Sequence, residues 1–328
     1  MKSRVRMIVV LVCVLVVLPV VGGLVYLSRI SAEAAARYYA EAIAQGRFED
    51  ALAVESADAD ADPNVGRGDA VDLRRGRVSE PSSVVSVRVY DERDVRGRQG
   101  ASIDLSVNGR TITREIYLER VGVPRPHVGM WRVVSGAAHV ETVRAYGYAS
   151  DVSVGGVSLG ALGASSDGGA TFPVAASTDG LWHAGSGGAV VYAYPGIYDV
   201  SVAKVSEHTQ VAVDSVSGAS TLSVLSGSRE HQIDVTQDES TRAWHEEQLG
   251  SVARSCVLGD VPEGVVCSNM SVAGAERVDV EAPTRDSGDL LEVLVAAYRN
   301  DEGIAAFTAH SRVCFDEKGE PHIVVIRP

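Results

Sequence analysis

The chain has 328 residues, room for two or three domains, and its 45% hydrophobic and 22% charged content with 33 glycines excludes a disordered or collagen-like polymer. The formal net charge of −13 is unevenly spread: residues 31–148 hold 16 Arg against 18 acidic residues, net −2, while residues 149–328 hold 10 basic against 25 acidic residues, net −15. So acidic a distal half excludes a general nucleic-acid binder, because phosphate backbones demand clustered Lys and Arg.

In chain order, the first element is Met7–Leu27, 21 residues without a charge. At about 1.5 Å per residue it is long enough to cross a hydrocarbon core of about 30 Å. Lys2, Arg4 and Arg6 precede the run and Arg29 follows it, so the positive-inside rule orients the N-terminus toward the cytoplasm. The expectation is a cytoplasmic tail over residues 1–6, a transmembrane signal-anchor helix over 7–28, cell-membrane localisation, and an extracytoplasmic remainder. A cleaved signal peptide is the alternative, although its apolar region is usually about 7–15 residues.

Ser31 is placed to cap a helix through AEAAARYYAEAIAQ, with Ala35, Tyr39, Ala42 and Ile43 on one stripe and Gly46 as its stop. Phe48 and Leu52 restart a helix one turn apart. Asp58, Asp60, Asp62, Asn64 and Asp69 then imitate the ligand spacing of a calcium loop, but Pro63 stands where such a loop needs Gly. A solvated acidic linker explains them equally, and no metal or other cofactor is expected. From Val71 the period becomes two, through Val84, Val87, Val89, Ile103, Leu105, Ile112, Ile116 and Leu118, with Asn108-Gly109 as a hairpin turn and Met130–Val134 as the closing strand. Helices followed by an antiparallel meander predict an α+β unit.

The pattern Tyr38-Tyr39-x-x-x-Ile43-x-x-Gly46-x-Phe48-x-x-Ala51, the meander, and Gly129-x-Trp131-Arg132-Val133 resemble the nuclear transport factor 2-like cone domains over residues 29–146. That resemblance implies a concave sheet, and makes Tyr117, His127, Asp104 and Glu115 candidate pocket residues. Residues 147–236 read as short strands between Gly/Ser turns, a small β-sandwich. Val152-Ser153-Val154-Gly155-Gly156 and Pro195-Gly196-Ile197-Tyr198-Asp199-Val200 are similar to the Ig-like repeats of TcaA-type envelope proteins. Residues 237–328 open with a helix capped at Asp238 and continue as antiparallel strands, similar to the final domain of actinobacterial membrane proteins on the same plan; 27 Arg against 3 Lys fits a high-GC genome.

Cys256 and Cys267 frame ten residues containing Gly259, Pro262 and Gly264. Beyond a membrane such a pair closes a disulfide, and its spacing suits neither zinc nor thioredoxin-type chemistry. Cys314 is left over. Gly156-x-Ser158-x-Gly160 matches the nucleophile-elbow string, but Ala-Leu-Gly-Ala-Ser-Ser follows where a helix is required, so a β-turn accounts for it. Arg67, Arg74, Arg75, Arg77, Arg88, Arg93, Arg96 and Arg98 are either a basic surface for anionic polymers or a solvated face interleaved with Asp91, Glu92 and Asp94. The eight histidines have no metal-ligand spacing. The expected function is a non-enzymatic, single-pass membrane protein whose modular exterior binds, senses or assembles at the cell envelope, its partner a cell-wall polymer or envelope protein. The alternatives are a ligand-binding or catalytic cone, and an accessory subunit docking through the acidic distal half.

Overall fold

The computed structural model describes residues 30–55, 70–94, 96–159, 181–182, 184–225, 230–285 and 290–327. Helix α1 (Ala32–Ala44) begins at Ser31, whose hydroxyl accepts from the Ala34 amide at 3.1 Å. It stops before Gly46, whose φ of +69° suits glycine and whose β-carbon would lie 2.5 Å from Val78. Helix α2 is Phe48–Val54.

Two short strands, β1 (Val71–Asp72) and β2 (Val78–Glu80), flank a 3-10 turn at Leu73–Arg75. The meander follows as β3 (Ser83–Arg93), β4 (Gln99–Val107), β5 (Arg110–Arg125) and β6 (Gly129–Ser135), paired in that order. Asn108 and Gly109 turn β4 into β5 with φ of +48° and +71°, the backbone a two-residue hairpin needs. Helix α1 lies on one face of this sheet and buries Ala35, Ala36, Tyr39, Ala40 and Ile43 against Ala101, Ile103, Leu105, Ile116 and Leu118.

The chain continues as β7 (His139–Gly147), β8 (Ala149–Val154), β9 (Val157–Ser158), β10 (Gly185–Ala193), β11 (Gly196–Lys204), β12 (Thr209–Val213), β13 (Val216–Ser217), β14 (Thr221–Val224) and β15 (Glu230–Gln237). One sheet runs β1-β10-β7-β15-β12-β13, and the other runs β14-β11-β8-β9 with β2 on β11. The two earliest strands thus complete sheets made later: Val71 pairs with Val191 and Val78 with Tyr198. Val143, Val191 and Ile233 of the first sheet, Val154, Tyr198 and Leu222 of the second, and the inner face of the meander all belong to one buried cluster.

Helix α3 (Glu239–Leu258), capped by the Asp238 carboxylate on the Thr241 amide at 2.7 Å, precedes β16 (Val265–Ser268), β17 (Arg277–Val280), β18 (Thr284–Arg285), β19 (Leu291–Arg299), β20 (Glu302–Phe315) and β21 (Pro321–Ile326). Leu249, Val252 and Ala253 of α3 pack with Val293, Val295, Ala309 and Val325 in a second core. Cys256 and Cys267 form a disulfide with Cα atoms 5.6 Å apart, tying α3 to β16; Cys314 is buried in β20. The Tyr148 hydroxyl donates to the Val313 carbonyl at 2.6 Å and its ring stands edge-on to Phe315, so the end of β20 belongs to the first core.

Two expectations are corrected. Among the described residues the fold is mostly β-sheet, 55% strand against 18% helix, and not the α+β cone series expected. The physical reason lies in β7: it follows the meander directly, yet joins the six-stranded sheet between β10 and β15, so the meander does not close into a cone by itself. The second correction concerns the membrane. Among the described residues no helix is long and apolar enough to cross one; α3 is 20 residues long but carries Glu239, Arg242, Glu246, Glu247 and Arg254. The 7–28 segment itself, with Lys2, Arg4 and Arg6, lies outside the described residues, so the signal-anchor assignment, the cell-membrane localisation and the orientation taken from those charges find no support in any described helix.

Candidate functional site

Side chains alternate across a strand, so the apolar set Ala101, Ile103, Leu105 and its partners Ile116 and Leu118 on the helix side sends the intervening residues to the opposite, open face. There Ser102 pairs with Glu115, Asp104 with Thr113 and Gly100 with Tyr117. A bulge at Val85 keeps β3 in phase, so that Ser86 stands opposite Asp104 and Arg88 opposite Ser102. The carboxylate of Asp104 accepts from the hydroxyls of Ser86 and Thr113, both at 2.6 Å, and from Arg88 at 3.4 Å. Those two hydroxyls, with the Arg88 charge, hold it below the usual carboxylate range.

Next to it, the ring of Tyr90 lies across Gly100, where a β-carbon would come within 2.7 Å of it, and Tyr117 flanks the same glycine. Tyr90 donates to Glu115 at 3.1 Å; burial and that bond keep its phenol protonated above the ordinary range. The Arg98 guanidinium sits 5.0 Å from the centre of the Tyr117 ring and pairs with Asp94 at 2.5 Å. Two aromatic rings, the exposed Glu115 carboxylate and a row of hydroxyls therefore share one face, with the Asp104 carboxylate buried among its hydroxyl donors and the charges largely paired.

Three of the four candidate pocket residues, Asp104, Glu115 and Tyr117, thus come together, but outside the meander. The inner face is filled mainly by buried aliphatic side chains, with Arg114, opposite Ile103, contacting His139 at 3.0 Å and donating to the Leu225 carbonyl at 3.2 Å. The fourth, His127, is elsewhere: it has φ of +64° in the β5–β6 turn and stacks on Tyr38 of α1 at 4.8 Å, with the planes 5° apart. The calcium-like set Asp58, Asp60, Asp62, Asn64 and Asp69 lies outside the described residues. Among the described residues no three His, Cys, Asp or Glu side chains are grouped to hold a metal ion. Ser158 follows the Gly155-Gly156 turn in the two-residue strand β9 and donates to Asp151 at 3.0 Å.

No protein-family model, curated protein or solved structure matches this chain. Its chemistry must be read from its own residues.

The most constrained polar group is one that the sequence patterns do not mark. Glu55, just past α2, is buried; its Oε1 accepts from Tyr39 at 2.5 Å and Tyr194 at 2.7 Å, and its Oε2 from Arg74 at 2.9 Å. Arg74 also holds Asp72 through Nε and Nη2, both at 2.9 Å, and lies over the Tyr192 ring. Tyr39 in turn accepts from the Ala137 amide at 2.9 Å. Burial and the neighbouring Tyr194 and Glu55 push the Tyr39 phenol well up, and burial does the same for Tyr194. The phenols stay neutral and donate, so the node works as a joint between the helices and the β10–β11 corner, with no proton to exchange.

His139 pairs with the buried Glu141 at 2.8 Å, and two fully buried histidines also find partners. His231 meets Asp214 at 3.0 Å, and His245 of α3 meets Ser311 of β20 at 2.8 Å. Burial lowers His245 to about 4. Both imidazoles are enclosed, His231 at 0% and His245 at 1% exposure, which leaves a substrate no approach.

Proposed function

We propose that this protein is a non-enzymatic binding module that holds a neutral polysaccharide, or a similar polyol, along the open face of β3, β4 and β5. The observation that carries this reading is the convergence of Tyr90 and Tyr117 over Gly100 beside Glu115, Asp104 and Thr113. Sugar rings present a C–H face and a rim of hydroxyls; aromatic side chains accept the first and carboxylates the second. Paired charges, such as Arg88 with Asp104 and Arg132 with Glu119 at 3.1 Å, favour a neutral ligand over a polyanion on this face. Asp104, held ionised by its hydroxyl donors, is a poor proton donor, which favours binding over hydrolysis. The cell-wall polymer expected from the sequence is one ligand of this chemistry.

The test is titration of the intact protein with soluble hexose and N-acetylhexosamine oligosaccharides, followed by amide NMR shifts. Saturable shifts should map to β3–β5. Tyr90→Ala should weaken binding about two- to tenfold, the worth of one aromatic contact, and Glu115→Gln about tenfold or more. His127→Ala should change nothing. Absence of saturable binding across the panel, or equal affinity of the Tyr90 and Glu115 variants and the parent, rejects the reading.

A further inference from the structure

On the other side of the joint, a groove of about 400 Å3 opens between the α1–α2 corner and the 3-10 turn, lined by Arg47, Arg74, Arg75 and Arg77, with Glu49 and Asp50 at its margin. The four guanidinium groups are not equivalent. Arg74 forms the fixed wall: its side chain is 18% exposed, and Glu55 and Asp72 neutralise it. Arg47 pairs with Asp50 and also donates to Gln45 at 3.0 Å. Arg75 and Arg77 are exposed and make no ion pair with any described residue.

The backbone that carries those two is held rigidly. The Arg77 amide donates to the Gly155 carbonyl at 2.8 Å and the Gly76 amide to the Leu73 carbonyl at 2.9 Å. Gly76 is buried so closely that a β-carbon would stand 3.0 Å from the Leu73 carbonyl oxygen and 3.1 Å from that of Gly155. Arg75 and Arg77 therefore leave a fixed segment on either side of a bare glycine, with the pinned Arg74 behind them. Loss of mobility in the backbone lowers the ordering cost of closing both side chains on a ligand.

We infer that this groove is a phosphate-binding site, taking a small soluble ligand that carries one or two phosphate groups. In a chain with 43 acidic and 30 basic residues, a concave surface with two exposed arginines in no ion pair with a described residue offers an oxyanion a local field opposite to that of the whole protein. Planar guanidinium groups match phosphate oxygens in pairs, and the groove volume falls in the range of small-molecule pockets. The site is independent of the glycan face, sharing no residue with it.

The probe is inorganic pyrophosphate, titrated into the full chain by calorimetry at about 20 mM ionic strength, where screening is weak. Saturable binding is expected, weakened about tenfold by Arg75→Gln with Arg77→Gln and also by raising the salt to about 200 mM. Both side chains are exposed, so the double variant should unfold at the parent's temperature, which the same sample can confirm. Arg120→Gln with Arg132→Gln, on the meander, removes the same charge elsewhere and should leave pyrophosphate binding intact. The inference is overturned if binding does not saturate, if the groove variant binds as tightly as the parent, or if the two double variants lose affinity equally, which would mark a diffuse charge effect. Tyr90→Ala should leave pyrophosphate binding unaltered even if it abolishes glycan binding, so each site can fail without the other.

Discussion

His245 offers the sharpest quantitative test of how the second core is held. Its imidazole is 1% exposed, shares a 2.8 Å hydrogen bond with Ser311 and is lowered by burial from 6.5 to about 4, against a smaller opposing effect of Glu246. A histidine whose folded pKa is depressed takes up its proton more readily when unfolded, so its contribution to stability is whole above pH 6.5 and is lost as pH falls toward 4. Linkage between those two values gives a loss of about 2 kcal/mol on going from pH 7 to 5 and about 3 kcal/mol by pH 4. Many carboxylates titrate in the same window, so the measurement is a difference: urea unfolding of the parent and of His245→Gln, followed by tryptophan fluorescence, to which Trp244, packed against both cores, contributes. The stability gap between the two proteins should shrink by those amounts as pH falls. Parallel pH profiles for the two proteins would refute the argument that burial of this imidazole governs the acid sensitivity of α3.

Other consequences follow from the joint, one glycine and the disulfide. Glu55→Ala strands Tyr39, Tyr194 and Arg74 without their shared acceptor and should cost about 3–5 kcal/mol in chemical unfolding; a loss under about 1 kcal/mol would mean the node is solvated. Gly147→Ala places a β-carbon 1.9 Å from the Val235 carbonyl oxygen at φ of +93°, and should abolish the β7–β15 pairing or cost more than about 3 kcal/mol. Gly188→Ala, whose nearest contact is 3.3 Å, should stay within about 1 kcal/mol, and thermal melts of the two variants make the comparison. Reducing Cys256–Cys267, which closes a loop of sequence separation 11, should lower stability by about 3 kcal/mol in the chain-entropy picture, read as a shift in denaturant midpoint with and without reductant.

The features legible from sequence are those carried by neighbours in the chain. Ser31, the Asn108-Gly109 turn and the Asp238 cap each act on residues within a few positions, and the structure places all three as expected. The open face was legible too, yet was assigned to the wrong side: Ile103 and Leu105 alternate with Ser102 and Asp104, and that alternation already sends the polar set away from the helix. His127 left the group because a turn carries it beside Tyr38, which no periodicity records. Glu55 was invisible for a different reason. A glutamate after a short helix reads as solvated, and its partners Arg74 and Tyr194 are 19 and 139 residues away. The pairing of Val71 with Val191 is equally distant, and with strands that far apart a meander, a sandwich and a cone share one local pattern.

That last pairing also sets a timetable for synthesis. The register Val71↔Val191 joins partners 120 residues apart in sequence, about 6–24 s of elongation at 5–20 residues per second. Helices α1 and α2 and strands β3–β6 can meet while still near the ribosome, whereas the segment around β1 and β2 must wait with its backbone groups unmatched until β10 and β11 emerge. During that interval the nascent chain offers open strand edges to any neighbour. Slowing translation between residues 135 and 200 should therefore lower the soluble yield, and a chaperone that shields extended segments should restore it.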